Sequence, residues 1–233
     1  VTSPLAVLGL GFALGLRHAL DVDHLAAVST IVSERRGLLR SSLVGALWGL
    51  GHTASLLAVA VAVIALHAEI PPFVGELFEL GVACMLVGLG LNLLRTVARG
   101  GRVHLHQHEH GGRRHVHPHV HDRARVHHEH GSTSRRPFFV GLVHGLAGSA
   151  GLMLAVVATI PSPALAIAYV AIFGVGSIGG MAVMSTVFAL PSLIAHDRFA
   201  GADRWVRLAA GAASVAVGGQ LAWEIGRAAG IVA

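Results

Sequence analysis

Long apolar runs recur along the chain, and short polar breaks separate them. A helix needs about 20 apolar residues to cross a hydrocarbon core roughly 30 Å thick. Six spans of that kind are expected: Pro4–Val32, Ser41–Leu66, Phe73–Ala98, Pro137–Ile160, Ala164–Ala195 and Trp205–Val232. The breaks read Glu34-Arg35-Arg36-Gly37, Pro71-Pro72, Pro161-Ser162-Pro163 and His196-Asp197-Arg198. Proline and glycine in such places punctuate helices. One long segment departs from the pattern: Arg99–Arg136 is polar and dense in His, Arg and Gly. The chain therefore reads as an all-α polytopic transmembrane bundle. Residues 1–98 form one three-helix half, 99–136 a His-rich loop, and 137–233 a second three-helix half.

The halves also match each other. Gly15-Leu16-Arg17-His18-Ala19-Leu20 lies over Gly141-Leu142-Val143-His144-Gly145-Leu146. Trp48-Gly49-Leu50-Gly51 lies over Phe173-Gly174-Val175-Gly176, with the register kept to within one residue. A third pair is weaker, with Gly81 and Gly88 over Gly211 and Gly218. Three spans per half is an odd number, so the second half is expected upside down relative to the first. Inverted repeats of this kind place a transporter's site near the midplane, where the halves meet.

Composition supports the membrane reading. Hydrophobic residues make up 54% and charged residues 12%, against about 25% charged in soluble domains. All the basic residues other than histidine are arginines, and they cluster after the first, third and fifth spans; the loops after the second and fourth carry none. The positive-inside rule makes the arginine-bearing side cytoplasmic. The His-rich loop then lies in the cytoplasm, and the protein is expected in the cytoplasmic (inner) membrane. The arginines sit between apolar runs, not in a basic stripe with aromatics, which excludes nucleic acid as a partner. The single Cys84 excludes a disulfide framework and a thiolate metal cluster within one chain. The first apolar stretch is not read as a cleaved leader, because it lacks a basic start and carries charges in its middle.

Those charges are the candidate chemistry. The first span contains Arg17-His18-Ala19-Leu20-Asp21-Val22-Asp23-His24. An ionised group at a helix centre costs roughly 2.5–3.5 kcal/mol on insertion scales, so such clusters are kept for function. On a regular helix His18, Asp21 and His24 fall within about 120° of arc. Asp23 lies on the opposite face; it joins them only if the helix is locally unwound, or it supports a ligand from behind. Mixed imidazole and carboxylate donors suit nickel, cobalt, copper or zinc. An Arg17–Asp21 pair one turn apart, with satisfied core histidines, is the alternative. His52 in Gly49-Leu50-Gly51-His52-Thr53, and His144 at the repeat position of His18, are further candidate ligands. Asn92 and Gln220 are expected to make packing hydrogen bonds. Eleven histidines lie between His104 and His130, many alternating. That segment has too little apolar content for a core, and its imidazole density suits unselective metal collection.

These motifs resemble those of the nickel/cobalt transporter family. Arg17 to His24 resembles the H-x4-D-H signature helix, and Leu50-Gly51-His52-Thr53 resembles the second-helix L-G-H-[ST] element. Gly141 to Ala150 resembles the short, six-span urease-accessory nickel-transporter-like subgroup. The resemblance implies a permease with Ni2+ or Co2+ as its transported substrate, and it assigns metal recognition to His18, Asp21, Asp23, His24 and His52. Uptake into the cytoplasm is the expected direction; the His-rich loop, reminiscent of related efflux proteins, keeps export by the same fold as the alternative. An intramembrane metal sensor and a metalloenzyme are rivals from other classes. No G-x4-G-K-[ST] loop occurs, so the chain is not expected to hydrolyse ATP itself; it is read as a non-enzyme because no separate general base or substrate cleft is apparent. Transport would draw on a gradient or an energising partner, with a cytoplasmic metallochaperone as a further expected partner.

Overall fold

A computed structural model of the chain describes residues 3–33, 37–67, 71–99, 103–110, 113–120, 135–146, 156–157, 159–198 and 202–230. The helices among them are α1 (Pro4–His18), α2 (Val22–Val32), α3 (Leu38–Leu66), α4 (Pro72–Ala98), α5 (Arg136–His144), α6 (Pro163–Arg198) and α7 (Ala202–Ala228). Proline stands at the start of several. Pro4, behind the Ser3 cap whose hydroxyl accepts from the Ala6 amide, and Pro72 both occupy first-turn positions, where the missing N–H costs nothing. At the other end of α3, His67 takes a left-handed conformation with φ 49° and stops the helix.

Among the described residues, three helices are long and apolar enough to cross a membrane: α3, α4 from Phe73, and α6 as far as Leu190. A fourth crossing is made if α1 and α2 count as one span bent by 56°. The expected first span is therefore a broken helix, not a straight one, and the break falls inside Arg17–His24. At the expected fourth span the described helix is α5, which ends at His144; residues 147–155 lie outside the described set. At the sixth, α7 has 27 residues, about 40 Å at a rise of 1.5 Å per residue.

Burial is inverted relative to a water-soluble protein. Leu5, Leu39, Phe73 and Trp205 are at least 70% exposed, while His24, His52, His144, Ser177 and Ser185 are buried. An apolar exterior around a partly polar interior suits lipid as solvent, and the protein is a membrane protein. In the interior α3 runs along α6, α4 runs along α7, and α1 and α5 pack on α6 and α3 respectively. Glycines allow the closest approaches, since a Cβ at Gly15 would collide with the Phe173 carbonyl, and one at Gly141 with the Trp48 carbonyl. Likewise Gly51 lies on the Phe138 carbonyl and Gly176 on the Phe12 carbonyl. Small residues play this part where burial against lipid offers no hydrophobic gain. Gly81 and Gly88 face open space instead, so the weak third match of the repeat has no packing counterpart.

Hydroxyls add interhelical hydrogen bonds, with Ser214 Oγ donating to the Leu86 carbonyl at 2.8 Å and Thr53 Oγ1 to the Gly174 carbonyl at 3.4 Å. The two amides expected to help do otherwise. Gln220 donates to Glu224 Oε1 one turn along its own helix at 2.9 Å, and Asn92 is exposed with its backbone carbonyl accepting from Thr96.

Among the described residues the strands lie in the His-rich segment. There β1 (Val103–His110) and β2 (Arg113–Val120) pair antiparallel, with His104 opposite His119, His106 opposite His117 and His108 opposite His115. The segment expected as a His-rich loop thus carries a two-stranded hairpin. Alternation of histidine with other residues has the strand period of two, which permits pairing even without a core. Residues 121–134 lie outside the described set.

Candidate metal site

The site is built at the break between α1 and α2. After His18 the chain turns, with the Leu20 amide bonded to the Arg17 carbonyl at 2.9 Å and the Asp21 amide to the His18 carbonyl at 3.1 Å. Asp21 is the N-cap of α2, but its carboxylate does not cap the helix. It accepts instead from His18 Nδ1 at 2.7 Å, so the expected alternative of an Arg17–Asp21 pair gives way to a His18–Asp21 pair. The break brings the carbonyl end of α1 and the amide end of α2 to one place. Carbonyl ends carry partial negative charge that favours a cation, and broken helices supply such ends in transporters.

Breaking the helix also turns Asp23 inward. In the first turn of α2 its Oδ1 accepts from the His24 backbone amide at 2.9 Å and lies 3.0 Å from His24 Nδ1. Its Oδ2 lies 3.0 Å from His144 Nε2, which α5 brings in as its final residue. The unwinding that the sequence made a condition for Asp23 to join the cluster is present.

His52 comes from the middle of α3. Its Nε2 lies 3.1 Å from His18 Nε2. Two imidazole nitrogens about 3 Å apart match neighbouring ligands on one ion with metal–nitrogen bonds of about 2.0–2.1 Å. The His24 ring stands in the middle of the group, its centroid 4.2 Å from those of His18 and His144 and 5.2 Å from that of His52. Two sets of three donors result: His18, His24 and His52, and Asp23, His24 and His144, each with its ligand atoms within 4.8 Å of one another.

The four imidazoles are buried, none more than 7% exposed. The side chains of Asp23 and Asp21 are 34% and 51% exposed, so the carboxylates lie on the open side of the cluster. His24 Nε2, His52 Nδ1 and His144 Nδ1 are buried without a hydrogen-bond partner among the described residues. Unpartnered buried polar atoms are costly, and a cation would use such lone pairs.

All six candidate ligands thus fall in one neighbourhood. Asp21 stands apart from both three-donor sets and holds the far nitrogen of His18, the position from which a carboxylate orients an imidazole ligand. Two residues carry a role the sequence reading did not give them. Trp48 lies 5.3 Å from His24 and 5.4 Å from His144 between ring centroids, and Phe173 lies 5.5 Å from His18. Both are buried, and together they wall the cluster with aromatic rings. They occupy equivalent positions of the internal repeat, which was the available signal.

No protein-family model matches the chain, and no solved structure does. Among curated proteins, the urease accessory protein UreH of Bacillus sp. (strain TB-90) is 32% identical over 187 residues, covering 80% of this chain and 78% of that protein. That relative is named as an accessory protein rather than as an enzyme, in keeping with the non-enzymatic reading. Identity at this level over most of both chains places the chain in the same family as the urease accessory protein UreH.

Proposed function

We propose that the chain is a permease for a divalent transition metal, nickel or cobalt, working in the direction of uptake across the cytoplasmic membrane. The observation that carries this reading is the convergence of four buried imidazoles and one carboxylate from α1, α2, α3 and α5. A soft-metal site would need thiolates, and a magnesium or calcium site would need oxygen donors. The resemblance of Arg17–His24 and Leu50–Thr53 to the nickel/cobalt signatures narrows the ion. A relative named for urease adds an accessory role in supplying that enzyme. The cation is cargo here, and a gradient or a separate partner would drive it.

The same reading takes the six spans to be two inverted three-helix repeats, with the His-rich segment in the cytoplasm. The packing contacts support it by recurring in equivalent pairs. Gly15 on Phe173 matches Gly141 on Trp48, and Gly51 on Phe138 matches Gly176 on Phe12. The pairing of α1 with α6 likewise matches that of α5 with α3. His18 and His144 each end their helix.

Radio-nickel accumulation in cells with and without the protein tests the proposal. Uptake predicts accumulation above the control. Depletion below the control would establish export, and equal counts would reject the permease.

A further inference from the structure

The two donor sets share His24 and cannot both be filled. Asp23 Oδ1 lies 3.0 Å from His24 Nδ1, in the manner of a carboxylate that holds an imidazole proton. That leaves Nε2, buried and unpartnered, as the one lone pair His24 can give. One lone pair serves one ion. Two dications one imidazole ring apart would also repel strongly in a buried place.

The sets differ in depth and charge. The set of His18, His24 and His52 is buried and offers imidazole nitrogen alone, whereas the second set contains the partly exposed carboxylate of Asp23. A dication at the second set is partly neutralised and lies on the open side; at the first it is enclosed and held by nitrogen alone. His18 and His144 occupy equivalent repeat positions, one in each set, and the His24 ring stands 4.2 Å from either.

We infer that the protein has two mutually exclusive ion stations and that His24 hands the ion between them. At the outer station Asp23, His24 and His144 hold it; at the inner station His18 and His52 replace Asp23 and His144 while His24 stays bound. The ion is never released to the apolar interior, because each new ligand arrives before His24 lets go. The inference rests on the permease reading.

The test uses the purified full chain and Ni2+ alone, with three measurements: bound metal per chain, the nickel X-ray absorption spectrum, and flux in sealed proteoliposomes. The His-rich segment is present in every variant, so binding at the cluster is read as the difference from His24→Ala, which should lose cluster binding and flux. The wild type should bind one nickel per chain more than His24→Ala. His18→Ala and His144→Ala should each still bind that one additional nickel, weakened by at least about tenfold, and each should lose flux. Their difference spectra should not agree: carboxylate with two imidazoles in His18→Ala, imidazoles without protein carboxylate in His144→Ala. Asparagine at either position provides a second pair of variants if an alanine variant misfolds.

Two nickel ions per wild-type chain beyond those bound by His24→Ala would overturn the shared station. So would identical spectra in the two single variants, or loss of binding in His144→Ala as complete as in His24→Ala. Normal flux in either variant would remove that station from the path. Wild-type binding with no flux at all would instead reject the permease reading, which separates the two failures.

Discussion

The first half and the second half of the molecule each end a helix on a histidine at matching places, His18 and His144. Only the first half follows it with ligands. After His18 come Asp21, Asp23 and His24; at the matching positions after His144 the sequence has Ala147, Ser149 and Ala150. The glycine-on-carbonyl contacts, by contrast, recur in both halves. Packing is shared between the halves while the chemistry is concentrated in one. On the proposed reading, a duplicated scaffold would give two similar surfaces that can move against each other, and one asymmetric cluster at their meeting would give the ion somewhere to sit.

The sharpest way to break this comparison is to remove ligands from the rich half. His52→Ala and Asp23→Ala should each reduce nickel uptake by about 10–100-fold or more, the scale seen even for partners behind metal ligands. Asp23→Ala should be the more damaging to binding, because it strips His24 and His144 of their shared partner together. Insertion, checked by membrane fractionation, should be unaffected. Near-normal uptake in the Asp23 variant would show that the asymmetry between the halves has no functional meaning.

The shared scaffold is tested next. Gly15→Ala and Gly141→Ala each push a Cβ into a carbonyl of the neighbouring helix. Overpacking of this kind costs about 1–3 kcal/mol, and the two losses should be similar if the halves are equivalent. Thermal unfolding in detergent measures both. A large loss for one and none for the other would mean that the matched contacts do not share a structural role.

The smallest effect is expected from the hairpin. Deleting Val103–Gly131 removes β1, β2 and eleven histidines. Flux at saturating nickel should persist in a correctly inserted deletion variant, with altered apparent affinity or regulation. Abolished flux would place the segment on the transport path.

Much of this was legible because a membrane makes polar residues conspicuous. His18, Asp21, Asp23, His24 and His52 stood out as polar groups inside apolar runs, and His144 through the repeat. The ordering within the cluster was not legible. A regular helix sets Asp23 opposite the other ligands, and only the break at residues 19–21 brings it in. Nothing local dictates a break there: no proline is present, and the interruption leaves the Asp21 carboxylate bonded to His18 rather than to its own helix. Asp21 therefore read as the carboxylate facing the two imidazoles and Asp23 as a conditional one, whereas the fold sets Asp21 behind His18 and turns Asp23 inward. Trp48 and Phe173 escaped notice because large aromatics in apolar spans are ordinary packing until their neighbours are known. The hairpin was not read from the sequence because low apolar content drew attention away from a strand-period alternation of histidines.

The central claim is that one ion crosses by way of the buried cluster around His24. Radio-nickel flux into sealed proteoliposomes, comparing wild type with His24→Ala at equal reconstituted amounts, tests it most directly. His24 touches both donor sets, so its loss should lower flux by at least about 100-fold, to the level of protein-free vesicles. Flux within a few-fold of wild type in that variant would show that the ion takes another route and that the cluster is structural.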